Sequence, residues 1–274
     1  MTNTATVETL AGVSETLLIP LYCKLLEHQN PHGLLKDEKI VEIVDRLKPN
    51  FDKFSTEEIW SAQVGVAVRT EILDNAVRSF LTQNSHPVIV NLGAGLCTRY
   101  WRVHSGFVRW FDIDLPTVKE VWQQVFTETS AHQYIGNDLL DFGWIQELKP
   151  LKDRPILFIA EGLFMYLDPT EVKQILIVIQ HHFPQAELLI EAVSPFVAKR
   201  TNRYPQVAKT EAEFKWGITT GRTLEKWDEN IQFLEEWYYL DYHRDRWRWM
   251  KWMKYVPPLR KAFKMIHLRF KPTK

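Results

Sequence analysis

The spacing of apolar residues changes near residue 85, and the change divides the chain into two parts. Before it the period is helical. Leu10, Val13, Leu17, Leu18, Leu21 and Leu25 recur at helical intervals until Pro31-His32-Gly33 breaks the pattern. Ile40, Val41, Ile43, Val44 and Leu47 form a second apolar face, closed by Pro49-Asn50. A long helix is expected from about residue 56 to 81, with Trp60, Val64, Val68, Ile72, Asn75 and Val77 on or near one stripe and Arg69 and Glu71 interleaved.

After residue 85 the apolar residues come in short continuous runs. Val88-Ile89-Val90-Asn91-Leu92, residues 107–113, 155–160 and 186–192 suit strands buried on both faces, and residues 132–135 make a further strand. Helical patterns lie between them at 117–127, 141–148 and 169–182. Strand–helix alternation predicts an α/β fold, a parallel sheet covered on both faces. Helices are expected beyond residue 194, then late strands near 231–240 and 266–270 that close the sheet edge. The pattern implies a helical region or cap at residues 1–84 and a core at 85–274.

Composition narrows the function classes. A formal net charge of zero removes any global attraction for nucleic acid or an anionic membrane. Two cysteines are too few for a disulfide framework or a four-ligand zinc site, and nothing else in the sequence argues for a metal. Free thiols fit a reducing, cytoplasmic setting. The first thirty residues do not read as a signal peptide, and the longest apolar run, 155–167, is too short to span a bilayer. No pattern assigns an oligomeric state. One local asymmetry stands out: residues 241–274 hold 11 Lys or Arg against two Asp, with Trp247, Trp249 and Trp252 between Arg244, Arg246, Arg248 and Lys251. Such interleaving suits an RNA face or a membrane surface. The preferred reading is edge packing by Trp247, Trp249, Tyr255, Met250 and Met253 with the cations solvated.

Candidate chemistry begins at Asn91-Leu92-Gly93-Ala94-Gly95-Leu96-Cys97-Thr98-Arg99, directly after the first strand of the core. Gly93 and Gly95 permit a tight turn and leave room for a ligand beside the peptide groups. Asp114 lies 19 residues beyond Gly95 at the end of the second strand, with Asp112 two residues earlier. A carboxylate there can accept both ribose hydroxyls of an adenosine. Dinucleotide enzymes share this arrangement, but their third glycine falls where this chain has Thr98, and a helix running into Tyr100 and Trp101 seats a pyrophosphate poorly. The balance favours a cofactor without phosphates, with a plain strand–helix turn as the alternative. Asp138, after the third strand, can bond adenine's exocyclic amine or cap a helix. Glu161 follows five apolar residues at the end of the fourth strand, where ligands of open parallel sheets collect.

The segments "VSETLLIPLY" (13–22), "VNLGAGLCTRYWRV" (90–103), "VRWFDIDLP" (108–116), "LFIAEGLFMYL" (157–167) and "FKWGI" (214–218) together resemble the leucine carboxyl methyltransferase superfamily, in its bacterial, polyketide-methylating branch. The resemblance runs from about Val13 to Phe270. It implies a class I methyltransferase fold dependent on S-adenosylmethionine (SAM): a Rossmann-like seven-stranded sheet, last strand antiparallel, with an N-terminal helical addition. It assigns Gly93 and Gly95 to the loop under the methionine part, Asp114 to the ribose, Asp138 and Leu139 to adenine, and Glu161 to the pocket edge. Arg69 falls where an arginine faces the SAM carboxylate, and Arg99 on the motif arginine. The family's usual Asp is Cys97 here, so the loop is expected either to be looser or to take a water in place of that support.

SAM carries an activated methyl, and the implied reaction is O-methylation of a small-molecule acceptor. An acceptor carboxylate needs no base, whereas a phenol needs one, for which Tyr166 and His243 are the candidates. Arg69 suits bidentate carboxylate pairing, with a surface ion pair to Glu71 or Asp74 as the alternative. Trp216 lines the acceptor pocket or packs the core. Methylation of a protein C-terminus and a non-catalytic SAM- or RNA-binding module are the rival functions.

Overall fold

Every residue of the strands Val88–Leu92 and Ile156–Ala160 is buried, and the rest of the fold is arranged to cover them. The structure, a computed structural model, describes residues 6, 7, 10, 12–104 and 106–272. The part of the first expected helix at residues 8, 9 and 11 lies outside them. In chain order the elements are α1 (Leu18–Gln29), α2 (Glu38–Leu47), α3 (Ile59–Gln83), β1 (Val88–Leu92), α4 (Arg99–Val103), β2 (Arg109–Asp114), α5 (Pro116–Trp122), β3 (His132–Gly136), α6 (Trp144–Leu148), β4 (Ile156–Ala160), α7 (Pro169–His182), β5 (Glu187–Val193), α8 (Pro195–Ala198), β6 (Ile231–Tyr238), α9 (Pro257–Arg260) and β7 (Phe263–Phe270).

The strands form one seven-stranded sheet in the order β3-β2-β1-β4-β5-β7-β6. The first five strands are parallel, and β7 runs antiparallel to both β5 and β6. The period of two along each strand sorts the core into faces. Val88, Val90, Leu92, Ile156, Phe158 and Ala160 pack against Val172, Ile175, Leu176 and Ile179 of α7. Ile89, Leu157, Ile159, Leu189 and Met265 face the other way, against Val64, Val68, Ile72, Leu73 and Val77 of α3. Each fully buried aliphatic side chain of this kind contributes about 1.5–3 kcal/mol. The long helix expected within the N-terminal part is therefore a layer of the sheet's own core. Around α1 and α2 a third cluster gathers Leu18, Leu21, Ile40 and Ile43 with Trp122 of α5.

Element ends differ from the sequence expectations where polar neighbours decide them. The second strand of the core begins at Arg109, because Phe107 turns out to solvent and stacks on His86. The helix expected to reach residue 127 stops at Trp122, where the bonds Gln124 N→Val121 O and Val125 N→Trp122 O tighten the chain into turns. After α8 come short 3-10 turns rather than helices.

Candidate active site

Register brings the chemistry together. Leu92 pairs with Ile113 on one side and Ala160 on the other, Asp114 pairs with Gly136, and Ala160 pairs with Ile190. The next residues along this row are Gly93, Asp114, Glu161 and Glu191, all at the carboxyl edge where the chain order switches sides of β1, the usual ligand crevice of such sheets. A cavity of about 770 Å³ opens over that edge, within the usual range of about 300–1,000 Å³ for a small-molecule site.

Its floor is the glycine loop. Gly93 and Gly95 have φ of +61° and +54°, left-handed conformations that glycine alone adopts freely. A Cβ on Gly93 would stand 2.7 Å from Leu163 Cδ1. Asp114 holds the loop: its Oδ2 accepts the Gly95 N–H at 2.8 Å and its Oδ1 accepts the Leu115 N–H at 2.8 Å. Tyr134 Oη donates to the Gly95 carbonyl at 3.2 Å. Cys97 Sγ takes a 3.6 Å bond from Arg99 Nη1, so the support expected to be missing is distributed over Asp114, Tyr134 and Arg99. Asp114 lines the cavity and is half-buried. Burial raises its pKa to about 6 against the opposing pull of the Gly95 and Leu115 amides.

Beside the floor runs a buried relay of alternating charges. Arg69 Nε donates to Glu161 Oε1 at 2.8 Å, and its Nη1 to both oxygens of Glu191. Arg99, wholly buried, links Glu161 at 2.6 Å to Asp74 at 2.8 Å, and Arg102 links Asp74 to Asp37. Tyr239 Oη and the Gly162 amide complete Glu191 at 2.7 Å each. Burial alone would raise the pKa of Glu161, but Arg99, Lys24 and Arg69 hold it well below the usual carboxylate range. Arg69 thus pairs across the cavity wall, and with neither Glu71 nor Asp74. Among the described residues its Nη2 has no acceptor.

Of the residues singled out in the sequence, Arg69, Gly93, Gly95, Asp114, Asp138, Leu139, Glu161 and Tyr166 line the cavity. Arg99 and Asp112 do not. Arg99 lies behind Glu161, and Asp112 is buried in a core network with Asn91, Trp110 and His132. His243 lies away from the cavity and pairs with Glu71 at 2.5 Å. Asp138 Oδ1 accepts the Leu140 N–H at 3.0 Å, a local turn bond, and α6 starts without it. Trp216 packs in the core.

Sequence reading missed Lys24 and Glu191. Lys24 on α1 is almost wholly buried and lines the cavity, and among the described residues its ammonium has no hydrogen-bond acceptor. The signal was present: Lys24 shares the apolar stripe of Leu17 and Leu21. Glu191 interrupts the run Leu188-Leu189-Ile190 as Glu161 interrupts its own. Away from the glycine loop the lining is largely apolar and aromatic, with Phe196, Phe214, Trp247, Met250 and Phe263. Among the described residues no cluster of His, Cys, Asp and Glu is suited to a metal, and no helix is long and apolar enough to cross a membrane.

Residues 24–180 match the family Leucine carboxyl methyltransferase. The chain is 30% identical to a tetracenomycin polyketide synthesis O-methyltransferase of Streptomyces glaucescens, over 95% of this chain and 98% of that one. It is 28% identical to an S-adenosyl-L-methionine-dependent methyltransferase of Gibberella zeae, over 86% of each chain. A provisionally named methyltransferase from Thermobifida fusca YX shares the fold, with a TM-score of 0.59 at 14% identity over 93% of this chain and 95% of that one.

Proposed function

This chain belongs to the leucine carboxyl methyltransferase family, and we propose that it methylates a carboxylate oxygen of a largely apolar, aromatic small molecule of the polyketide kind. The reading rests on one cavity with two unlike ends, a charged strand-edge floor and an aromatic far wall. SAM is the methyl donor of this family, and when bound it supplies a methyl carbon already activated by its sulfonium. The floor fits such a donor. Lys24 and Arg69 Nη2 present donors with no acceptor among the described residues, which suit an amino-acid carboxylate. Asp114 accepts the ribose hydroxyls, and the left-handed glycines let the chain approach closely. Asp138 and Leu139 bound the adenine end.

The acceptor follows from what the cavity lacks. Its described lining contains no histidine. Glu161 and Glu191 are engaged by arginines, Asp114 and Asp138 belong to the cofactor floor, and burial raises the Tyr166 hydroxyl to about 12, so none of these is placed to take an acceptor's proton. A carboxylate is ionised at neutral pH and needs no base. The aromatic wall excludes water and holds the acceptor's rings in line with the donor, so catalysis is mainly positioning.

Two measurements test this. Calorimetric titration of SAM should show binding that weakens about 10- to 100-fold in Lys24→Met, the range for a hydrogen bond to a charged group. Labelled methyl transferred to aromatic carboxylic acids should be released by mild alkali, as esters are. Alkali-stable ethers formed on phenols would overturn the carboxylate assignment.

A further inference from the structure

The cationic aromatic segment remains unexplained by the methylation site, and the structure divides it into two faces. The inner face is anchored. Trp247 is buried with Nε1 on the Tyr242 carbonyl, Arg246 forks onto Glu27, and Arg260 pairs with Asp241. Met250 and Met253 pack against the α3 side of the core. The outer face leaves Trp249 at 69%, Trp252 and Tyr255 at 60% and Val256 at 46% exposure. Trp249 and Tyr255 therefore do not share the edge packing expected of them. Arg244, Arg248, Lys251, Lys254 and Lys261 form no ion pair among the described residues; each lies over an aromatic ring, Arg244 at 5.5 Å from both Trp252 and Tyr255. Asp245 is the one acid between residues 244 and 261. Trp249, Met250, Met253 and Leu259 also line the cavity.

We propose that residues 244–261 dock the enzyme on an anionic lipid surface, beside the mouth of its acceptor cavity. Large aromatic side chains held out to water by an anchored segment forgo burial, which marks an interaction face. Indoles and a phenol mixed with cations match the headgroup boundary, where rings enter the interface and ammonium and guanidinium groups meet lipid phosphate. A nucleic acid is less well matched. The segment's own cations already occupy ring faces on which bases would stack. Delivery of an apolar acceptor from the surface rests on the proposed methylation; the docking does not.

Cosedimentation with phosphatidylcholine vesicles, with and without phosphatidylglycerol, tests the surface. The protein should pellet with the anionic vesicles at low salt and be released at high salt. The double variant Lys251→Glu, Lys254→Glu should lower partitioning roughly 10- to 30-fold, and Trp252→Ala should lower it several-fold. Unchanged melting and SAM titration establish that these variants are folded, and they report on the cofactor site separately. Absence of pelleting at low salt, equal pelleting with neutral vesicles, or binding of single-stranded RNA that the same variants abolish while vesicles are ignored would each overturn the proposal.

Discussion

Asp114 illustrates how much one side chain does here. It bonds two backbone amides of the loops it joins, and it lines the cavity half-buried, where burial raises its pKa to about 6. A raised carboxylate pKa means that the neutral form fits the free fold better. Its contribution to stability is full below the usual value near 3.8 and is lost as pH rises through about 6. Ribose hydroxyls require the opposite, an ionised acceptor. SAM affinity measured by calorimetry should therefore fall as pH drops below about 6, and Asp114→Asn should bind weakly with no such dependence. A pH-independent affinity in the parent protein would remove Asp114 from the ribose site. At this scale Asp114, Gly93 and Glu161 were readable because polar or flexible residues interrupt apolar strands. Lys24 carried the same kind of signal on a helix, but a lone lysine on an apolar stripe resembles a side chain reaching for solvent.

Between elements, the relay Asp37–Arg102–Asp74–Arg99–Glu161–Arg69–Glu191 ties α2, α3, α4, β4 and β5 together. Arg99 is its midpoint. Arg99→Leu leaves Asp74 and Glu161 with fewer counter-charges in the interior, at a cost of about 3–5 kcal/mol. Thermal denaturation should show a melting temperature lower by roughly 10 °C, and a shift of a degree or two would show that the relay is dispensable. Strands β1, β4 and β5 were legible within a residue or two, since continuous burial on both faces leaves an unbroken apolar run. The segment 244–255 was not. His243 and Arg248 adopt positive φ, which breaks the segment into 3-10 turns although Arg246-Trp247-Arg248-Trp249 alternates with the period of a strand.

At the scale of the whole molecule, helix α3 of the N-terminal helical region packs directly on the sheet of the core. Helix α3 covers Ile89, Leu157, Ile159, Leu189 and Met265, whose exposure would cost an amount comparable with the net stability of a domain, about 5–15 kcal/mol. A chain of residues 85–274 alone should lack a cooperative thermal transition, and a sharp melt would show that the core stands without the helical region. What the sequence by itself determined was local: which runs become buried strands, where glycines must turn, and which acids end strands at the ligand edge. These follow from spacing and from the cost of burying charge. The tertiary structure alone decided which of those acids face the cavity and which are saturated by arginines. It also decided that Lys24 is left without an acceptor among the described residues and that the aromatic tail splits into an anchored and an exposed face. Such pairings join residues far apart in the chain, and periodicity records only a residue's distance from the core, not what it meets there.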